Sequence, residues 1–129
     1  MFAWLLSGLC LGAHAQTAAP ALPAFQTAGT LQYACGGIGI DESTAMRAAM
    51  PRYPLSLLFA RAHGDYLANL AVQVQGPGGA TERFTATGPV CLLQLPPGRY
   101  TVQATSEEGV VQQRSIQVGG SHRTLDFRF

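Results

Sequence analysis

Apolar and polar residues alternate with a period of two through most of the chain beyond residue 53. Tyr53, Leu55, Leu57 and Phe59 fall on one side of one segment. Leu70, Val72 and Val74 do so in the next, separated by Ala71, Gln73 and Gln75. Tyr100, Val102 and Ala104 alternate with Arg99, Thr101, Gln103 and Thr105, and Leu125, Phe127 and Phe129 with Thr124, Asp126 and Arg128. This is the period of half-buried strands. Leu31 and Tyr33 open a shorter strand, and residues 110–118 form another. Residues 80–86 are polar enough for an edge strand. Residues 90–95 are apolar on both faces apart from Gln94, which suits a central strand. Turn signals punctuate the pattern at His63-Gly64-Asp65, Gly76-Pro77-Gly78-Gly79, Leu95-Pro96-Pro97-Gly98, Glu107-Glu108-Gly109 and Gly119-Gly120-Ser121. Seven or eight short strands at this spacing predict an all-β, antiparallel sandwich or small barrel.

One stretch breaks the period. Residues 41–50 carry Ala45, Met46, Ala48, Ala49 and Met50, with Asp41 and Glu42 at the start and Pro51 and Pro54 just beyond. Alanine and methionine favour helix, acids suit the positive end of its dipole, and proline ends it. The expectation is a short N-terminal helix capped by Asp41 or Ser43. Two to three turns are not stable alone, so the helix must pack on the sheet.

The N-terminal residues read differently. Residues 2–12 are almost wholly apolar, and Ala13-His14-Ala15 is a small-x-small site before Gln16, as in an export signal cleaved after Ala15. The run is too short to span a bilayer as a helix. Its opening lacks Lys and Arg, and Cys10 lies within the part expected to be removed. Residues 16–28, rich in Ala, Pro and Thr, suggest a flexible leader before a single β-sandwich domain at 29–129. The expected location is periplasmic or secreted.

Charge and cysteine content narrow the function classes. All eight basic residues are arginine and seven acids nearly balance them, giving a net charge of +1. With no basic stripe to neutralise phosphates, nucleic acid is not an expected partner. Cys35 and Cys91 remain after the expected cleavage. An even count in an exported chain favours a disulfide, worth up to about 4 kcal/mol for so long a loop. Two buried thiols are the rival reading. A metal pair is disfavoured, because two cysteines without a close spacing make a poor zinc site.

Few residues suggest chemistry. Gly36-Gly37-Ile38-Gly39 lacks the Lys-Ser/Thr and the parallel βαβ setting of a phosphate loop, and reads as a bend feeding the helix. Asp41 and Glu42 are the candidate partner contact, although helix capping accounts for them more simply. Calcium would need further oxygen ligands. His63, Asp65 and His122 invite a metal or triad reading, but no serine sits in a recognisable nucleophile elbow. The expectation is therefore no catalytic residue, no metal and no cofactor. Tyr53, Tyr66 and Tyr100 are the candidate sugar-stacking rings, since Trp4 leaves with the signal.

The Leu95-Pro96-Pro97-Gly98-Arg99-Tyr100 turn and the Tyr-x-Val strand after it resemble the transthyretin-like sandwich modules. Among these are the carboxypeptidase regulatory domain and the collagen-adhesin B-type repeat, in which a Pro-Gly-x-Tyr hairpin recurs. Together with Gly36-Gly37-Ile38-Gly39-Ile40-Asp41-Glu42, the turn makes residues 31–129 similar to small exported proteobacterial proteins described as carboxypeptidase regulatory-like. The resemblance implies a prealbumin-like sandwich and is nearly silent on activity. The enzyme of the wider fold, hydroxyisourate hydrolase, ends in Tyr-Arg-Gly-Ser and uses clustered histidines. This chain ends Asp126-Phe127-Arg128-Phe129 and carries only His63 and His122 after the expected cleavage, which counts against that activity.

The leading expectation is a non-catalytic exported binding or structural accessory module of the cell envelope. Its partner is a protein or envelope component, and the edge strand at residues 80–86 is a candidate acceptor for a partner strand. Two alternatives stand beside it. One is a carbohydrate- or peptidoglycan-binding module. The other is a small hydrolase or metal-dependent enzyme, which requires Asp41, Glu42, His63 and His122 to meet in one cleft.

Overall fold

Two sheets stack face to face in the computed structural model, which describes residues 22–129 and Gly8. Apart from Gly8, the expected export signal with Cys10 and residues 16–21 of the expected leader lie outside the described residues. The first sheet holds five strands in the order β1 (Gln26–Ala28), β2 (Leu31–Gly36), β6 (Val90–Gln94), β3 (Leu55–Ala60) and β9 (Arg123–Arg128). The second holds four, in the order β5 (Thr81–Ala86), β4 (Leu70–Gln75), β7 (Gly98–Thr105) and β8 (Val111–Val118). One helix, α1 (Ile40–Ala49), lies between β2 and β3 in sequence. The all-β sandwich with one short helix is as expected, and the two separate sheets decide for the sandwich over the small barrel.

Every pairing is antiparallel except β3 with β9, which run parallel from Leu55↔Arg123 to Ala60↔Arg128. The chain leaves β8 in the second sheet and crosses to the first at the end where β3 begins, so β9 can only run alongside β3.

The core follows the alternation. Leu55, Leu57 and Phe59 of β3 and Leu125 and Phe127 of β9 face Leu70, Val72 and Val74 of β4 and Val102 and Ala104 of β7 in one buried cluster. Each such side chain withdrawn from water contributes roughly 1.5–3 kcal/mol. A second cluster lies on the opposite face of the first sheet, where Met46 and Ala49 of α1 pack on Val90 and Leu92 of β6. The helix needs this contact because ten residues are marginal in isolation. It also explains why β6 is apolar on both faces: it is the middle strand of five, with the other sheet on one side and α1 on the other.

Cys35 and Cys91 are directly opposite each other on β2 and β6, 4.1 Å apart at Cα, and form the disulfide. The bond faces the interior between the sheets, with Cys91 fully buried and Cys35 half-buried. Oxidation therefore joins two strands that the ladder already holds side by side.

Several local expectations change. Nine strands form among the described residues rather than seven or eight, because Gln26–Ala28, expected within the leader, pairs with β2. Phe25 stacks on Tyr53 at 5.1 Å between ring centroids, and Leu22 packs against the helix cluster, so residues 22–28 lie on the domain. Tyr53 does not share the core face of β3. It precedes the strand, in the turn set by Pro51 and Pro54, and packs on the helix side.

The Leu95–Gly98 segment is not a hairpin. It carries the chain from β6 in the first sheet to β7 in the second. Gly98 is required by close approach, since a Cβ there would lie 2.6 Å from Cγ of Pro77. The Tyr100 hydroxyl donates to the Pro96 carbonyl at 2.6 Å and fastens the crossover.

Candidate functional site

The strand directions sort the loops into two groups at opposite ends of the sandwich. One end gathers residues 37–40, 61–69, 87–89 and 106–110; the other gathers 29–30, 50–54, 76–80, 95–97 and 119–122. The two ends carry different chemistry.

The first end begins with the glycine-rich bend. Gly39, at φ 90°, is the residue preceding α1, and it makes no side-chain cap. The expected capping by Asp41 or Ser43 does not form. Both lie inside the first turn, where acids still complement the dipole. Glu42 instead reaches back past the start of the helix, and its carboxylate accepts a hydrogen bond from the Gly37 N–H at 2.8 Å. This resembles a capping box, in which the third helical residue satisfies a free amide before the helix. The carboxylate fills the space where a Cβ on Gly36 would sit, so the bend and the acid are fitted to each other.

This bond holds two isoleucines in water. Ile38 is 67% exposed and Ile40 84%, on either side of Gly39. Asp41 next to them is exposed, whereas Glu42 is half-buried. Of the six large apolar side chains that stand exposed among the described residues, five belong to this end: Ile38, Ile40, Tyr66, Val110 and Val111. Tyr66 also lies beneath Arg47 of α1, with the guanidinium 5.7 Å from the ring centroid.

Two ion pairs lie at this end. Arg61 donates to Glu108 at 2.7 Å, joining the loop after β3 to the turn between β7 and β8. The hydrogen bond from Arg61 and its positive charge hold the Glu108 carboxyl below the usual range, helped by the backbone and by Ser106. The same contact raises the Arg61 guanidinium. His63 and Asp65 face each other across Gly64 at 2.8 Å, both well exposed.

His122 belongs to the opposite end. It precedes β9, whereas His63 follows β3, and these parallel strands are in register over five residue steps. That is roughly 16 Å of strand. Asp41, Glu42 and His63 therefore share one end without His122, and the four do not converge on one cleft. Among the described residues no group of three or more His, Cys, Asp or Glu side chains is placed to hold a metal.

The tyrosines do not form a platform. Tyr100 is buried, Tyr53 is half-buried against Phe25, and Tyr33 is half-buried and stacked on Phe84 at 4.2 Å. Tyr66 is the exposed one.

Strand β5 is an edge, as its polarity predicts. It opposes Val74 with Glu82, which therefore points inward and is half-buried. On the other edge of that sheet, Arg114 opposes buried Val102 and lies over the Phe127 ring at 5.6 Å. An inward-pointing charge on an edge strand deters pairing with a further strand. The bare apolar loops, which alternation along strands does not register, were missed in the sequence. Two isoleucines flanking a glycine just before a helix were the available signal.

No helix among the described residues is long and apolar enough to cross a membrane. Comparison with known protein families, with curated proteins and with solved structures gave no match.

Proposed function

We propose that this chain is an exported, non-catalytic binding module of the cell envelope, of the carboxypeptidase regulatory-like or transthyretin-like kind, and that it holds a protein partner through the loop end bearing Ile38, Ile40 and Asp41. The observation that carries this reading is that five of the six exposed large apolar side chains among the described residues lie at one end of the sandwich. Isolated exposed apolar residues are ordinary, but their concentration marks an interaction surface. Glu42 contributes by position: it fixes the bend, so little loop entropy is lost on binding. Asp41, free beside the isoleucines, supplies polar selectivity. The guarded edges favour loop contacts over strand addition.

The test is capture from an envelope extract by the immobilised full chain, with Ile38→Ser/Ile40→Ser beside it. Both positions are exposed, so the variant keeps its fold, which circular dichroism checks. The expected result is a partner held by the native chain and lost by about tenfold or more in the variant. Equal capture by the two would overturn the reading.

A further inference from the structure

The outer face of the second sheet carries a row of amides. Gln73 of β4, Gln103 of β7 and Gln113 of β8 stand directly opposite one another, with Arg83 of β5 beside Gln73. The neighbouring row places Ala71 between Thr85 and Thr105. A methyl group between longer side chains leaves a hollow. These three residues line a cleft of about 400 Å³ together with Gln73, Gln103 and Arg83.

This face is polar without being acidic. None of the seven acids points from it, since Glu82, which lies on β5, turns inward. Arg83 and Arg99 are its outward charges. The bonds between its side chains join Arg83 to Gln73, at 3.4 Å, and Thr101 to Ser115, at 3.3 Å. Gln103, Thr85 and Thr105 therefore keep their polar groups for a ligand.

We propose that this face binds an uncharged, extended glycan laid across the strands. A sugar hydroxyl both donates and accepts a hydrogen bond, as a glutamine amide and a threonine hydroxyl do. A charged polymer would meet neither an acidic nor a basic cluster here. Neighbouring strands lie about 4.8 Å apart, close to the length of one pyranose unit, so a chain crossing Gln73, Gln103 and Gln113 meets one amide per sugar. Ala71 and Val111, exposed in the neighbouring row, offer methyl groups to the C–H faces of the rings. Each contact is weak, and repetition along the polymer supplies the affinity. The face is separate from Ile38, Ile40 and Asp41, so the proposal stands if the protein partner is never found.

The experiment measures depletion of the full chain from solution by microcrystalline cellulose, by chitin and by cross-linked dextran. The first two are extended glycans, plain and N-acetylated, and dextran is a flexible one. Depletion by cellulose, chitin or both is expected, unchanged by salt because no ion pair forms. Gln73→Ala/Gln103→Ala removes two amides and Ala71→Glu fills the hollow, and each should weaken binding about tenfold or more. Gln32→Ala/Gln94→Ala on the first sheet and Ile38→Ser/Ile40→Ser at the apolar end are the controls, expected to stay within about twofold. All these positions point outward, and melting curves verify that the variants fold. Chitin alone assigns an N-acetylated ligand, and cellulose alone a plain one. No depletion by either glycan, equal depletion by dextran, release by salt, or a matching loss in either control would overturn the proposal.

Discussion

The two sheets bury different numbers of faces. The first is covered on both sides: Leu57 and Leu93 face the second sheet, and Leu92 and Val90 lie under α1. Even Ser56, on the helix side of β3, is fully buried with no hydrogen-bond partner for its hydroxyl. The second sheet is covered on one side. Its outer face presents Gln73, Gln103, Gln113, Thr85, Thr101 and their neighbours to water. The disulfide lies within the doubly covered sheet, between β2 and β6. The rigid frame of the molecule is therefore the five-stranded sheet with its helix. The four-stranded sheet closes the core from one side only.

This contrast can be tested by substitution. Removing the disulfide with Cys35→Ala/Cys91→Ala should cost about 4 kcal/mol on chain-entropy grounds, because it closes a separation of 56 residues. Chemical denaturation of the native and double-variant chains measures it. A loss near zero would mean that the paired strands alone fix the first sheet.

Outward-facing positions on the two sheets should then diverge. Leu92→Ala, beneath α1, should cost about 2–5 kcal/mol, as cavity-forming core substitutions do. Gln103→Ala, outward on β7, should stay within about 0.5 kcal/mol. Similar values at both sites would erase the distinction between a doubly and a singly covered sheet.

The smallest effect concerns the tie between the sheets. Arg61 follows β3 of the first sheet, and Glu108 lies in the turn of the second. Because Arg61 depresses the Glu108 carboxyl in the folded state, the stabilisation is present above the unfolded carboxylate range, near ~4.3, and is lost as pH falls through the lowered value. Arg61→Ala should therefore be slightly less stable than the native chain at neutral pH and indistinguishable from it in strong acid. Melting temperatures across the acid range measure the gap. A gap that widens on acidification would remove the pair from the account. Both groups are exposed, so salt should also narrow it.

Alternation located β3, β4, β7 and β9, because a strand buried on one face must repeat every two residues, while β5 and β8 were read from polarity and flanking turns. It gave the inward faces of β4 and β7 residue by residue, and the uninterrupted apolar run at 90–93 marked β6 as central. The helix was legible from its alanines and its terminating prolines. β1 was not, since three residues in an Ala/Pro/Thr-rich stretch have no period to read.

The site was less legible than the fold. Asp41 and Glu42 were visible as an acidic pair, but their different roles depend on a hydrogen bond to Gly37, five residues from Glu42. The separation of His63 from His122 follows from strand direction. So does the gathering of the exposed apolar loops at one end, which no local pattern records. The residues by themselves determined which segments would pleat, which side chains would avoid water and that two cysteines could pair. Tertiary structure alone decided which loops became neighbours and which exposed apolar side chains came to share one end. The reason is physical: periodicity arises from the chain's own geometry, whereas proximity between distant loops exists only after the two sheets close on each other.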